Sequence, residues 1–179
     1  MKQLIIGGAR SGKSKMAQQY AKQWQQQTQG DVIVIATAQH DDSSMKQRIA
    51  HHQQNRPKHW QTVETHLQLA EAITQYSTKG NLILVDCLTL WLSNTLMFAA
   101  NQKDSSFDQM KQQLLDAINA STAELVLISN EVGQGVVPLG ELSREFVDQS
   151  GWLHQSLSQY VDQVAICIAG LPLVLKEAK

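Results

Sequence analysis

Cysteine is scarce in this chain of 179 residues: only Cys87 and Cys167 occur, both inside apolar stretches and without CxxC spacing. That excludes a disulfide framework or a cysteine-based zinc site as the organising device, and predicts two buried free thiols in a reducing compartment. Proline is scarce as well, at three residues, and no Pro/Gly/Ser-rich linker or internal repeat divides the chain, so residues 1–179 read as a single domain. Neither sign of charge dominates. Fifteen basic residues stand against sixteen acidic ones, for a net charge of -1 and no long basic run, which excludes the electrostatic footprint of a nucleic-acid partner. Arginine occurs only at Arg10, Arg48, Arg56 and Arg144, so each guanidinium is a scarce means of holding an anion. Long hydrophobic runs are missing too, since nothing approaches the roughly eighteen apolar residues of a membrane span. The apolar start, Leu4 to Ile6, gives way at once to Gly7-Gly8, too soon for a signal-peptide core. The expectation is a cytoplasmic protein without stable membrane insertion.

Apolar residues nevertheless make up 42% of the chain and charged ones 17%, enough to bury a core and too little charge for a disordered chain. Five short apolar runs recur: Leu4 to Ile6, Val32 to Ala36, Leu82 to Val85, Leu125 to Ile128 and Val164 to Ile168. Continuous runs of this length suit strands covered on both faces, and their spacing suits βα units, which predicts an α/β fold with a mainly parallel sheet. Lys13 to Gln27 reads as a helix with Met16, Tyr20 and Trp24 on one face, and Leu67 to Tyr76 and Phe107 to Ile118 read similarly. Asn101 to Ser106 reads as an exposed loop, and Gln23 to Gln29 as a solvated helix end.

The chemistry begins directly after the first strand, where Gly7-Gly8-Ala9-Arg10-Ser11-Gly12-Lys13-Ser14 matches GxxxxGK followed by Ser or Thr in full. In such a P-loop the glycines let backbone N–H groups curl around phosphate oxygens. Lys13 neutralises the β- and γ-phosphates, and the Ser14 hydroxyl ligates Mg²⁺. A magnesium site also wants a carboxylate at the end of a neighbouring strand. Asp86, closing Leu82 to Val85, supplies one, and Glu131, beyond Leu125 to Asn130, is the alternative.

A second unusual segment runs from Arg48 to Trp60. Helical spacing from Arg48 reaches His52 and then Arg56, so two guanidinium groups and an imidazole share one face, which Pro57 terminates. An imidazole between two phosphate-binding forks invites nucleophilic attack on phosphorus, because a histidine with an ordinary pKa is largely neutral at pH 7. His51 points elsewhere, with Gln47 and Asn55, so spacing favours His52. The bland alternative is a polar surface helix with two solvated histidines.

Taken together, several blocks resemble the bifunctional adenosylcobinamide kinase/adenosylcobinamide-phosphate guanylyltransferase family of cobalamin biosynthesis. They are GGARSGKS at Gly7 to Ser14, IATA at Ile35 to Ala38, RIAHHQQNRP at Arg48 to Pro57, Trp60 and Glu64, VDCLTLWLSN at Val85 to Asn94, SNEVGQGVVP at Ser129 to Pro138, and GLPLVLK at Gly170 to Lys176. The resemblance implies a RecA-like P-loop NTPase fold and a homotrimer. It implies phosphorylation of adenosylcobinamide on its aminopropanol hydroxyl, using ATP or GTP with Mg²⁺. It further implies transfer of GMP from GTP to adenosylcobinamide phosphate through a guanylyl-histidine. By motif, Gly7 to Ser14, Ile35, Ala36, Thr37, Gln53, Gln54, Asn55, Arg56, Glu64 and Asp86 resemble the family's nucleotide-contacting positions, with Ser14 and Asp86 at the metal. The histidine of the family's RIxxH pattern falls on His52, beside His51. One departure stands out, since His154 occupies a position where the pattern has asparagine. Two other classes compete: a single-function small-molecule P-loop kinase, which needs no histidine nucleophile, and a GTP-binding switch. A switch wants an Asn-Lys-x-Asp guanine reader after a strand, and Asn101-Gln102-Lys103-Asp104 has the wrong order.

Overall fold

The computed structural model describes residues 1–39, 56–102 and 106–177. In chain order the elements are β1 (Lys2–Gly7), α1 (Lys13–Thr28), β2 (Asp31–Ala36), β3 (Gln61–Glu64), α2 (Leu69–Tyr76), β4 (Asn81–Asp86) and α3 (Leu88–Gln102). They continue with α4 (Ser106–Ala120), β5 (Glu124–Asn130), α5 (Glu141–Tyr160), β6 (Gln163–Ile168) and β7 (Leu171–Lys176). Seven strands form one sheet in the order β3-β2-β4-β5-β1-β6-β7. All neighbours are parallel except β6 and β7, which form an antiparallel hairpin at one edge. This is the mainly parallel sheet flanked by helices that the apolar runs imply.

The runs on β1, β2, β4 and β5 are continuous because each of these strands serves two cores. On β1, Leu4 and Ile6 face one layer and Ile5 the other; on β2, Ile33 and Ile35 alternate with Val32 and Val34 in the same way. The larger core takes side chains from α2, α3, α4 and α5, while the smaller lies mainly under α1, with Ala17, Ala21 and Trp24 buried, Met16 and Tyr20 packed beside them, and Trp60, Cys87 and Leu90 adding to it. The four-residue stripe of α1 is therefore its buried face, and its glutamine-rich end is mostly exposed. Both cysteines are buried free thiols.

One expectation needs correction. Asn101 is not in a loop: α3 continues to Gln102, and α4 resumes at Ser106. The apolar residues of α3 pack into the larger core along its length, with Leu88, Trp91, Leu92 and Leu96 all buried. That burial carries the helix through residues whose polarity suggests a loop. Among the described residues no helix is long and apolar enough to cross a membrane.

Candidate functional site

The turn from β1 into α1 sits where the parallel strands end, with β1 flanked by β5 and β6. Gly7 ends the strand because a Cβ there would lie 2.5 Å from the carbonyl oxygen of Cys167. Gly12, at φ 101°, caps α1 in the left-handed region, and a Cβ on it would come within 3.0 Å of Gly170 Cα. Ser11 fastens the loop from below: its carbonyl accepts from Gly170 N–H at 2.8 Å and from Cys167 Sγ at 3.0 Å. No side chain caps the start of α1 and its first turn holds no acid, so its free N–H groups and the positive end of its dipole remain for an anion.

Lys13 is only 7% exposed and its Nζ donates to Gly8 O at 2.8 Å. Burial pulls its pKa below the ordinary lysine value, opposed by Cys87, Asp86 and Cys167 nearby. A buried cation held by a neutral carbonyl gains when phosphate oxygens replace that carbonyl. Ser11 Oγ is buried with no hydrogen-bond partner among the described residues, a further donor left for an oxygen ligand at the loop.

The second cluster lies at the ends of β2, β3 and β4, where Ala36 pairs in register with both Glu64 and Asp86. Arg56 reaches this edge and binds Asp86 through Nη2–H at 2.8 Å, the two side chains being 8% and 14% exposed. Arg56 Nε, also buried, has no partner among the described residues. Ser14 lies in the first turn of α1. A hydroxyl and a carboxylate are hard oxygen donors that suit Mg²⁺, which takes one or two carboxylates and completes its shell with substrate phosphates and water. Among the described residues no group of three or more histidine, cysteine or acidic side chains is placed to hold a metal ion by itself.

The remaining motif positions divide. Ile35 is a core residue, paired on both sides within the sheet. Thr37 is fully buried, and every polar group it has is engaged. Its hydroxyl donates to Cys87 O at 2.7 Å and accepts from Cys87 N at 3.0 Å, its N–H donates to Asp86 O, and its carbonyl accepts from Asn94 Nδ2. Thr37 thus holds the strand end that presents Asp86. Glu64 is exposed at the sheet edge. Arg48, His51, His52, Gln53, Gln54 and Asn55 lie outside the described residues.

Sequence reasoning misses a polar chain behind the loop. His154 Nε2 lies 2.7 Å from Ser129 Oγ, Ser129 Oγ lies 3.3 Å from Thr89 Oγ1, and Thr89 Oγ1 accepts from Asn130 N at 2.6 Å. Burial lowers the His154 pKa, against the pull of Glu131. The one signal available beforehand is that His154 departs from the family pattern.

A family described as "Cobinamide kinase / cobinamide phosphate guanyltransferase" matches residues 3–175. The chain belongs to this family. Its relatives include the "Bifunctional adenosylcobalamin biosynthesis protein CobP" of Pseudomonas aeruginosa, 45% identical over 176 residues, covering 98% of each chain. The "Bifunctional adenosylcobalamin biosynthesis protein CobU" of Escherichia coli is 35% identical over 183 residues, covering 97% of this chain and 98% of that one. Family members therefore share this length almost end to end. In fold the chain is similar to a solved ATPase domain, at TM-score 0.52 and 12% identity, covering 92% of this chain and 68% of that one. The fold is thus that of a P-loop ATPase, and the family is an enzyme family acting on cobinamides.

Proposed function

We propose that this chain phosphorylates adenosylcobinamide on its aminopropanol hydroxyl with ATP or GTP, then transfers GMP from GTP to the resulting phosphate, giving adenosylcobinamide-GDP. Family membership across residues 3–175 carries the reading, and the P-loop supplies its first half. The free N–H groups at the start of α1 and buried Lys13 hold the phosphates while the acceptor hydroxyl attacks the γ-phosphorus. Mg²⁺, held by Ser14 and Asp86, would neutralise charge on the phosphates. Arg56 and Glu64 would complete the nucleotide contacts with the adjoining Gln53, Gln54 and Asn55. In the second half the imidazole of His52 attacks the α-phosphorus of GTP and pyrophosphate leaves. The phosphate of adenosylcobinamide phosphate then displaces His52 and takes the GMP. Two buried free thiols and the use of nucleoside triphosphates fit a cytoplasmic enzyme.

The test is acceptor dependence. Nucleoside diphosphate release from γ-labelled ATP or GTP should require adenosylcobinamide and deliver the label to it. Equal release without the acceptor would mark a slow GTPase switch and end the reading.

The same proposal includes a homotrimer. All six residues of the edge strand β7 are exposed, among them Leu171, Leu173 and Leu175. Val136 and Leu139, ahead of α5, are 96% and 99% exposed. An exposed apolar sheet edge and an exposed apolar segment are surfaces that monomers normally cover or charge, and further copies of the chain would cover them. Light scattering should return three times 19.9 kDa at micromolar concentration; a stable species of one chain mass would refute the trimer.

A further inference from the structure

The phosphate half of the P-loop cleft is accounted for by Lys13 and the start of α1, but an acceptor alcohol must also approach the γ-phosphate and lose its proton. The end of β5 lies beside the loop: Asn130 pairs in register with Gly7, and Glu131 N–H donates to Gly7 O at 2.9 Å. A carboxylate-bearing residue is thereby fastened next to the first residues of the P-loop. The Glu131 side chain is half-buried. Its Oε1 accepts from Gly133 N–H at 2.6 Å, which fixes the carboxylate, while Oε2 makes no hydrogen bond among the described residues. Behind it, the chain through His154, Ser129 and Thr89 to Asn130 N–H holds the strand end in place.

In front of it is a cavity of about 320 Å³. Gly8 forms one wall, Glu131, Gln134 and Gly135 another, and Ile166 and Ile168 contribute apolar surface. An apolar lining with a single carboxylate suits an aliphatic arm ending in a hydroxyl better than a purine base or a phosphate. Asp86, by contrast, lies two strands from β1 and is already paired with Arg56.

We infer that this cavity receives the alcohol-bearing arm of the acceptor and that Glu131 is the general base of the kinase step; the inference rests on the function proposed above. The acceptor oxygen forms a bond to the γ-phosphorus as its proton passes to the Glu131 carboxylate. The bond between the γ-phosphorus and the β–γ bridging oxygen breaks, and the nucleoside diphosphate leaves with that electron pair. The proton then returns to solvent.

Steady-state kinetics of the full chain with ATP, Mg²⁺ and adenosylcobinamide test this. Glu131→Gln should lower kcat about a hundredfold, the usual scale for a lost general base, with the KM for nucleotide unchanged. Gly135→Val is the companion variant, since a Cβ there meets nothing within 4 Å and the fold has room for it. It should raise the KM for acceptor about tenfold, as added bulk does in a fitted pocket, and leave that for nucleotide alone. A wild-type kcat in Glu131→Gln overturns the base assignment. So does a matching rise in nucleotide or Mg²⁺ requirement, which would make Glu131 a phosphate-side residue. An unchanged acceptor KM in Gly135→Val removes the cavity assignment even if Glu131→Gln fails to fold. If the wild-type chain shows no acceptor-dependent turnover, the proposed function itself falls, and the two failures are thereby told apart.

Discussion

Replacing Lys13 by alanine should lower adenosylcobinamide phosphorylation about a hundred- to a thousandfold, the range seen when one preorganised partner of developing charge is removed. Lys13 opens α1 and is 7% exposed, with its Nζ on Gly8 O. Its charge therefore acts in a water-poor setting, where a phosphate contact is far stronger than at the surface. Alanine is a better helix former than lysine at that position, and the cation it removes is one that burial already disfavours. Stability should change little, so a thermal melt alongside the assay separates lost chemistry from lost fold. Transfer of γ-label to adenosylcobinamide is the readout. Wild-type turnover in Lys13→Ala would refute a phosphate-clamping role for the loop.

The second large effect concerns His52. Incubation with Mg²⁺ and α-labelled GTP should leave label on the protein and release pyrophosphate. His52→Asn should abolish both labelling and GMP transfer, while phosphorylation of adenosylcobinamide persists. Arg48, His52 and Arg56 recur at four-residue intervals in the sequence. Two guanidinium forks can hold a triphosphate while a neutral imidazole attacks the α-phosphorus in line. Arg56 itself stands within the described site, with a buried Nε that has no partner among the described residues. Phosphorus–nitrogen bonds to histidine are acid-labile and base-stable, so label should be lost at low pH and survive alkali. Labelling that survives His52→Asn but not His51→Asn would move the nucleophile one residue back. Label from γ- but not α-labelled GTP would mean a phosphohistidine and end the guanylyltransferase half.

Much of this architecture is legible before any coordinates. The five apolar runs fall within β1, β2, β4, β5 and β6 because strands covered on both faces cannot alternate. The edge strands are a different matter. β3 is Gln61-Thr62-Val63-Glu64, largely exposed and without an apolar run, and β7 is apolar yet wholly exposed, carrying Pro172 as edge strands can. In α3 a mostly apolar sequence gives little contrast between faces, so periodicity does not announce a helix there. The P-loop is legible because its parts are contiguous. Thr37, Ser129 and His154 are not, since their partners are far away in sequence: Thr37 meets Cys87, and Ser129 meets His154 and Thr89. Glu131 could be named as an acid at a strand end, but its place beside Gly7 follows only from the pairing of β5 with β1.

The central position of β1 has a consequence for synthesis. Its two partners are β5, where Lys2 pairs with Leu125, and β6, where Gln3 pairs with Gln163. The Ser11 carbonyl that seats the P-loop also waits for Cys167 and Gly170. At typical translation rates of about 5–20 residues per second, the nascent strand stays unpaired for on the order of ten seconds after it emerges. Throughout that interval Leu4, Ile5 and Ile6, all buried in the folded chain, have neither of their partner strands to cover them.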